Sequence, residues 1–294
     1  MLIDELVAAC SEAYNNSDPG NCGVNCNNSD SCAGGCDYGD GCLEQVHWWP
    51  QKGGRSDYEC DKLLCCYVQK YSQSYSQNVL SVASKINFDQ YPRYDILSIG
   101  CGGAPDLMAF ERLAEGKSVY YKGFDRNKRW KGIHELIESY ADETDNIEVN
   151  IKRRDIFEVL AENKPSRHSY NIVVIQFLIS HLVNTNQINR ITELYNGIIN
   201  NVVSNRLQGS PFLFILNDID TLNKGRNNFY RLIDLLEQNG YRGNSYAKSC
   251  YPNGDLGAQR WSDSREHNSF GNISYSFSQS YDLHQGAQLI IELR

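Results

Sequence analysis

Residues Asp95-Ile-Leu-Ser-Ile-Gly-Cys-Gly-Gly-Ala-Pro-Asp106 decide how this chain folds. Asp95 to Ile99 is a short, mostly apolar run with the length of a buried strand. Gly100, Gly102 and Gly103 end it abruptly. Glycine lets a backbone turn tightly and approach a ligand where a β-carbon would clash. A helical pattern, Asp106 to Ala114, starts at once. Strand, glycine turn and helix in immediate succession are the local order of a nucleotide-type site.

The same rhythm continues outward. Ser118–Phe124, Ile147–Lys152, Asn171–Ile175 and Phe212–Leu216 read as strands, and Trp130–Tyr140, Gln187–Asn205 and Asn227–Asn239 as helices. Such alternation predicts a mainly parallel sheet with helices on both faces. Ile273–Tyr281 and Ala287–Leu293 alternate around a turn at Gln285-Gly286, which predicts an antiparallel pair at the sheet edge. Upstream, residues 1–15 read as a short amphipathic helix. Ser56–Lys85 reads as a helix whose stripe includes Leu63, Leu64, Tyr67, Tyr71, Tyr75, Val79 and Val82. A packed face is the plain reading of that stripe, and a tyrosine or two lining a pocket is the other. The chain divides at residues 1–88 and 89–294.

Three nucleotide loops compete for the glycine turn. A P-loop needs a Gly-Lys-Ser/Thr ending, which is absent. A dinucleotide fingerprint needs glycine where this chain has Pro105. The segment resembles motif I of the class I S-adenosylmethionine-dependent methyltransferases, with Gly100, Cys101 and Gly102 on the family's Gly-x-Gly core. Ala104 stands at the family's third glycine and Ser98 at its frequent acid. The resemblance runs from about Tyr94 to the C-terminus. It implies a Rossmann-like sheet of seven strands in the order 3-2-1-4-5-7-6, with strand 7 antiparallel, and S-adenosylmethionine as cofactor.

The remaining cofactor residues follow from the same resemblance. Asp125, with Arg126 beside it, ends the second strand, where the family's acid accepts the two ribose hydroxyls. A carboxylate suits that task because its oxygens take two O–H donors together. Asp155 and Ile156 follow the third strand, where an acid meets the adenine amino group, and a helix N-cap is the rival reading of Asp155. Asp106 is a candidate for the cofactor's amino group. Gln176 and His181 follow the fourth strand, facing methyl donor and acceptor, and His181 is the candidate general base. Asp218 and Asp220, after the fifth strand, are candidate substrate contacts. The Asn/Asp-Pro-Pro-Tyr/Phe motif of amino-methylating nucleic-acid enzymes is absent, which argues against that chemistry.

Eight of the eleven cysteines fall between residues 22 and 66. Cys22, Cys26, Cys32, Cys36, Cys42, His47 and Cys60 form an array of soft ligands in a stretch rich in Asn, Gly and Ser, which builds little core. Thiolate and imidazole are ligands of Zn²⁺, and thiolates hold iron–sulfur clusters. A zinc-binding N-terminal subdomain is the expectation, with an iron–sulfur cluster, disulfides or free thiols as alternatives. Such a segment could cover the cofactor cleft, recognise RNA or only stabilise its own third of the chain. Trp48 and Trp49 could stack on a flat substrate or cover the small core of that segment.

The 294 residues carry a net charge of −8, unlike the basic surface usual for a grip on nucleic-acid backbone. No apolar run reaches the roughly 20 residues that span a bilayer. The acids of Met1-Leu-Ile-Asp-Glu-Leu do not suit a signal peptide, so a cytoplasmic enzyme is expected. Its methyl acceptor is expected to be a small molecule, with RNA or protein as the alternative. A silent S-adenosylmethionine-binding or partner-binding regulator is the third class.

Overall fold

The apolar runs pair side by side because each buries both of its faces. The computed structural model describes residues 1–16, 58, 60–162, 168–220, 225–251, 266–267, 271–272, 274–279 and 286–294. Its main sheet contains β1 (Tyr94–Ile99), β2 (Val119–Phe124), β3 (Ile147–Lys152), β4 (Ile172–Gln176), β5 (Phe212–Asp218), β6 (Gly243–Tyr251), β7 (Ser274–Gln279) and β8 (Gly286–Leu293). The order is β3-β2-β1-β4-β5-β8-β6-β7. Strands β1 to β5 are parallel. Strand β8 is antiparallel to both neighbours. Without the edge strand β7, this is the sheet order that the resemblance implies.

One pairing differs from expectation. The antiparallel partner of β8 is β6, with Leu293 opposite Gly243 and Ala287 opposite Ser249. The predicted partner, Ile273–Tyr281, instead supplies β7, which runs parallel to β6 at the edge. Strand β6 reads Gly-Asn-Ser-Tyr-Ala-Lys-Ser-Cys-Tyr and shows no apolar stripe. Its inward positions Ser245 and Ala247 are small and buried, so hydrophobic patterning could not reveal it.

Strand alternation sorts the core into two layers. Helices α1 (Leu2–Asn16), α2 (Asp61–Leu80), α3 (Pro105–Ala114) and α4 (Lys131–Asp142) cover one face. Leu6, Val68, Phe110 and Ile137 pack there on Ile96, Val174 and Ile215. Helices α5 (Ile156–Ala161), α6 (Leu178–Asn184), α7 (Asn189–Asn201) and α8 (Phe229–Gln238) cover the other. Leu160, Leu182, Leu194 and Leu232 pack there on Leu97, Ile175 and Phe214. A fully buried aliphatic or aromatic side chain contributes about 1.5–3 kcal/mol. No helix among the described residues is long and apolar enough to cross a membrane.

Candidate active site at the carboxyl edge of the sheet

The strand order reverses between β1 and β4, and open α/β sheets bind ligands at the carboxyl ends of the strands beside such a reversal, which makes that edge the candidate crevice. Gly100 and Gly102 occupy the left-handed region with φ of +69° and +50°, and Ala104 joins them at +53°. The turn is tied to β2, since Gly100 and Cys101 both donate N–H to the Phe124 carbonyl. Asp125 completes the tie. Its Oδ2 accepts from Gly102 N at 3.0 Å and its Oδ1 from Asn127 N at 2.8 Å.

Beneath the turn lie Trp130 and His134. A β-carbon on Gly102 would stand 3.5 Å from the Trp130 ring. His134 is fully buried, and its Nε2 donates to the Gly102 carbonyl at 2.8 Å. Burial pushes the imidazole down to about 4, so it is neutral at physiological pH. Sequence reasoning passed over both residues because each resembles ordinary helix content.

Helix α2 lies across the crevice. Val68 touches Gly103, where a β-carbon would meet its Cγ2 at 3.1 Å. Tyr67 packs edge-on against Tyr58 and Trp130, with centroids 5.0 and 5.7 Å away. Tyr71 stacks on Tyr75 at 5.3 Å, and Tyr75 on Phe177 at 4.3 Å. The tyrosine stripe therefore runs from the end of β2 to the end of β4. Burial raises the Tyr67 phenol, and the nearby Asp125 and Asp106 push in the same direction.

Beyond β4, Phe177 takes a left-handed φ of +53° and α6 begins. His181 on that helix meets Arg126 from the end of β2, with guanidinium and Nε2 3.3 Å apart. This contact bridges the crevice. The guanidinium can only donate, so Nε2 accepts and the ring proton sits on Nδ1. A general-base role for His181 then requires Arg126 to release Nε2. Gln176 Oε1 accepts from Asn217 Nδ2 at 2.9 Å.

The remaining acids are more enclosed. Asp155 caps α5 by accepting from Phe157 N at 2.9 Å and lies 3.6 Å from Arg190. That geometry leaves its second role open. Ile156, next to it, is buried. Asp106 is 1% exposed, accepts from the Tyr121 hydroxyl at 3.0 Å, and is pushed up to about 6 by burial. Asp218 is fully buried and accepts from Ser180 N at 3.0 Å, holding the first turn of α6. Burial pushes it also to about 6. Asp220 is buried in an ion pair with Arg226.

Cys22, Cys26, Cys32, Cys36, Cys42 and His47 lie outside the described residues. Cys60 is buried at the N-cap of α2. No group of three or more His, Cys, Asp or Glu among the described residues could hold a metal ion. Cys10 and Cys65, facing each other between α1 and α2, share a thiol hydrogen bond.

The reversal between β1 and β4, the antiparallel β8 and the glycine turn define a Rossmann-like sheet of the class I methyltransferase type. No family model matches the chain, and no curated protein matches it in sequence. Solved structures similar to it include the plantazolicin methyltransferase BpumL in complex with SAH, at 12% identity and TM-score 0.45, covering 87% of this chain and 99% of that one. A SAM-dependent methyltransferase from Archaeoglobus fulgidus is 15% identical, with TM-score 0.43, covering 74% of this chain and 94% of that one. Another, from Leishmania major, is 10% identical, with TM-score 0.41, covering 77% and 74%. The strand order itself defines the fold.

Proposed function

We propose that this chain is an S-adenosylmethionine-dependent methyltransferase. The observation that carries the reading is the glycine turn after β1, tied through Gly102 to Asp125 just beyond β2 and roofed by α2 at the strand-order reversal. The turn's left-handed glycines keep β-carbons off the backbone where a cofactor would approach. Asp125, partly exposed at the end of β2, is the proposed carboxylate for the ribose hydroxyls, and Asp155 with Ile156 beyond β3 the proposed adenine side.

When bound, the sulfonium cofactor supplies both the methyl group and its own leaving group. The protein's share is alignment and exclusion of water. Asp125 and the glycine turn fix position along the sheet edge. Tyr67, Tyr71 and Tyr75 shield the crevice from above, while Phe177 and α6 bound it on the β4 side. His181, once released by Arg126, can take a proton through Nε2 from a hydroxyl or amine. Gly100, Cys101, Gly102, Asp125 and Asp155 form the proposed cofactor set.

Calorimetry with S-adenosylhomocysteine tests the reading. Binding is expected, and Asp125→Ala should weaken it by roughly 1.5–3 kcal/mol, the range for a hydrogen bond to a charged group. Equal affinity in wild type and variant sinks the assignment of Asp125, and no binding at all sinks the methyltransferase reading. The charge of −8 supports a small-molecule acceptor over RNA. A zinc ion held by the cysteine-rich segment and Cys60 belongs to the same proposal, and elemental analysis of the purified protein decides it.

A further inference from the structure

Two cysteines outside the candidate site meet across a helix interface. Cys10 lies on α1 and Cys65 on α2, and the two helices pack together. Cys10 is 2% exposed, inside the layer that holds Leu6, Leu64 and Val68. Cys65 is partly exposed and packs against the same layer. The two thiols are free and share a hydrogen bond.

The nearby cysteines are placed differently. Cys66 packs on the small cluster of Cys60 and Leu63. Cys101 is buried at the glycine turn, and burial raises its thiol well above the ordinary value. A thiol in that state is inert.

Within the pair the two thiols are unequal. The nucleophile is a thiolate, not a thiol. The hydrogen bond from Cys10 holds the Cys65 thiol below its ordinary value, against the opposing effects of burial and of Asp61. Cys10 keeps its proton, because the hydrogen bond to Cys65, its own burial and the Cys65 charge all push it up. The partly exposed sulfur is therefore the nucleophilic one, and the buried sulfur waits beside it.

We propose that Cys65 and Cys10 form a site of reversible thiol oxidation, in which Cys65 reacts with hydrogen peroxide and Cys10 resolves it to a disulfide that latches α1 to α2. In the first step the Cys65 sulfur attacks one peroxide oxygen and the O–O bond breaks. Cys65 becomes a sulfenic acid, oxidised by two electrons, and the departing hydroxide takes a proton from solvent to become water. With the Cys65 charge gone, the thiolate no longer holds the Cys10 proton in place. The Cys10 sulfur then attacks the Cys65 sulfur and the S–O bond breaks. The Cys10 proton leaves with the hydroxyl as a second water, and a dithiol reverses the bond by exchange.

The latch lies close to the glycine turn. Val68, whose Cγ2 stands against Gly103, is three residues beyond Cys65 on α2. The disulfide also closes a loop from residue 10 to residue 65 that contains the cysteine-rich segment. Closing a long loop restrains the unfolded chain, so the oxidised protein should be the more stable form. The inference does not depend on the methyltransferase reading.

The test uses the full chain, purified reduced and with its metal content unchanged, and one equivalent of hydrogen peroxide. Peptide mass spectrometry without reduction should find Cys10 joined to Cys65 as the dominant crosslink, and dithiothreitol should remove it. The melting temperature should rise by about 4 °C or more on oxidation and return on reduction. Cys10→Ser keeps a hydroxyl donor for the Cys65 thiolate but cannot resolve the sulfenic acid. In that variant dimedone should label Cys65 at least about fivefold more than Cys66 or Cys101, and the rise in melting temperature should vanish. Cys65→Ser should leave Cys10 unlabelled.

Crosslinks that join Cys65 mainly to Cys66 or to the cysteine-rich segment overturn the pairing, as does the absence of any Cys10–Cys65 crosslink. That map is made on wild type and decides even where a variant fails to fold. Dimedone labelling of Cys65 no greater than that of Cys66 overturns its role as the reactive thiol. A crosslink that forms without raising the melting temperature overturns the latch.

Discussion

Ala104 shows how a single residue departs from its motif. It is fully buried and sits at φ +53°, where an L-residue costs about 1–2 kcal/mol. The family's third glycine avoids that cost. Gly100 has the reverse relation. A β-carbon there would meet Leu178 at an ordinary 3.5 Å, but φ is +69°. Gly100→Ala should therefore destabilise the protein by about 1–2 kcal/mol through backbone strain alone, visible as a lower urea midpoint with an unchanged m-value. Asp106 gives a prediction with a definite pH sign. Its carboxyl is raised from 3.8 to about 6 by burial. Its stabilising contribution is complete below pH 4 and disappears as pH rises through 6. Asp106→Asn keeps an oxygen for the Tyr121 hydroxyl. It should exceed wild type by roughly 3 kcal/mol at pH 7.5 and lose that advantage by pH 4. His134, lowered to about 4, acts in the opposite sense and removes stability as pH falls from 6.5 to 4. The wild-type-minus-variant difference in denaturation isolates Asp106 from it. A difference independent of pH would show that Asp106 does not titrate in the fold as its burial requires.

At the scale of elements, the strands were the most legible, whether buried on both faces like β5 or alternating like the edge strand β3. Strand β3 was read at its observed bounds, and β1, β2, β4, β5 and β8 to within one or two residues. Helix α6 was not read, because Leu178–Asn184 is too short for periodicity to show, and the predicted helix Gln187–Asn205 is shorter as α7. The glycine turn, its tie to Asp125 and the tyrosine stripe packed over it were legible as local structure, since each carries a local signal. The buried amide contacts from Gln288 to Asn78 and Asn217, and from Asn217 to Gln176, were not, because these residues become neighbours only through sheet order. One available signal was Gln288 itself, a polar residue inside Ala-Gln-Leu-Ile-Ile, which demands a buried partner. The fixing of α6 is also long-range. Asp218 caps it from β5, and a β-carbon on Gly225 would fall 2.4 Å from Asp218 Oδ1. Gly225→Ala must displace that carboxylate, and a loss of about 2 kcal/mol or more is expected from the broken buried hydrogen bonds. Amide exchange of Ser180 should accelerate in the variant. If Ser180 stays fully protected, Asp218 does not hold α6.

For the whole molecule, the question is how the N-terminal third acts on the sheet. Cys60, the last candidate ligand of the cysteine-rich array, directly precedes α2. Helix α2 then passes from Trp130 to Phe177 over the carboxyl edge, placing Tyr67, Tyr71 and Tyr75 above the crevice. A metal that fixed Cys60 would set where α2 begins, and hence how its tyrosines sit over the acceptor side. The proposed cofactor contacts, by contrast, belong to β1, β2 and β3 and their turns, and they depend less on that anchor. Chelation of the proposed zinc should therefore weaken acceptor binding or methylation, once an acceptor is known, several-fold more than it weakens S-adenosylhomocysteine binding. The two affinities can be measured on the same sample before and after metal removal and after zinc is restored. Readdition should recover the acceptor side, because the loss is one of α2 placement and not of covalent damage. Equal losses for both ligands would mean that the segment supports the whole fold. If chelation changes neither affinity, the array does not position α2, and the N-terminal segment acts independently of the crevice.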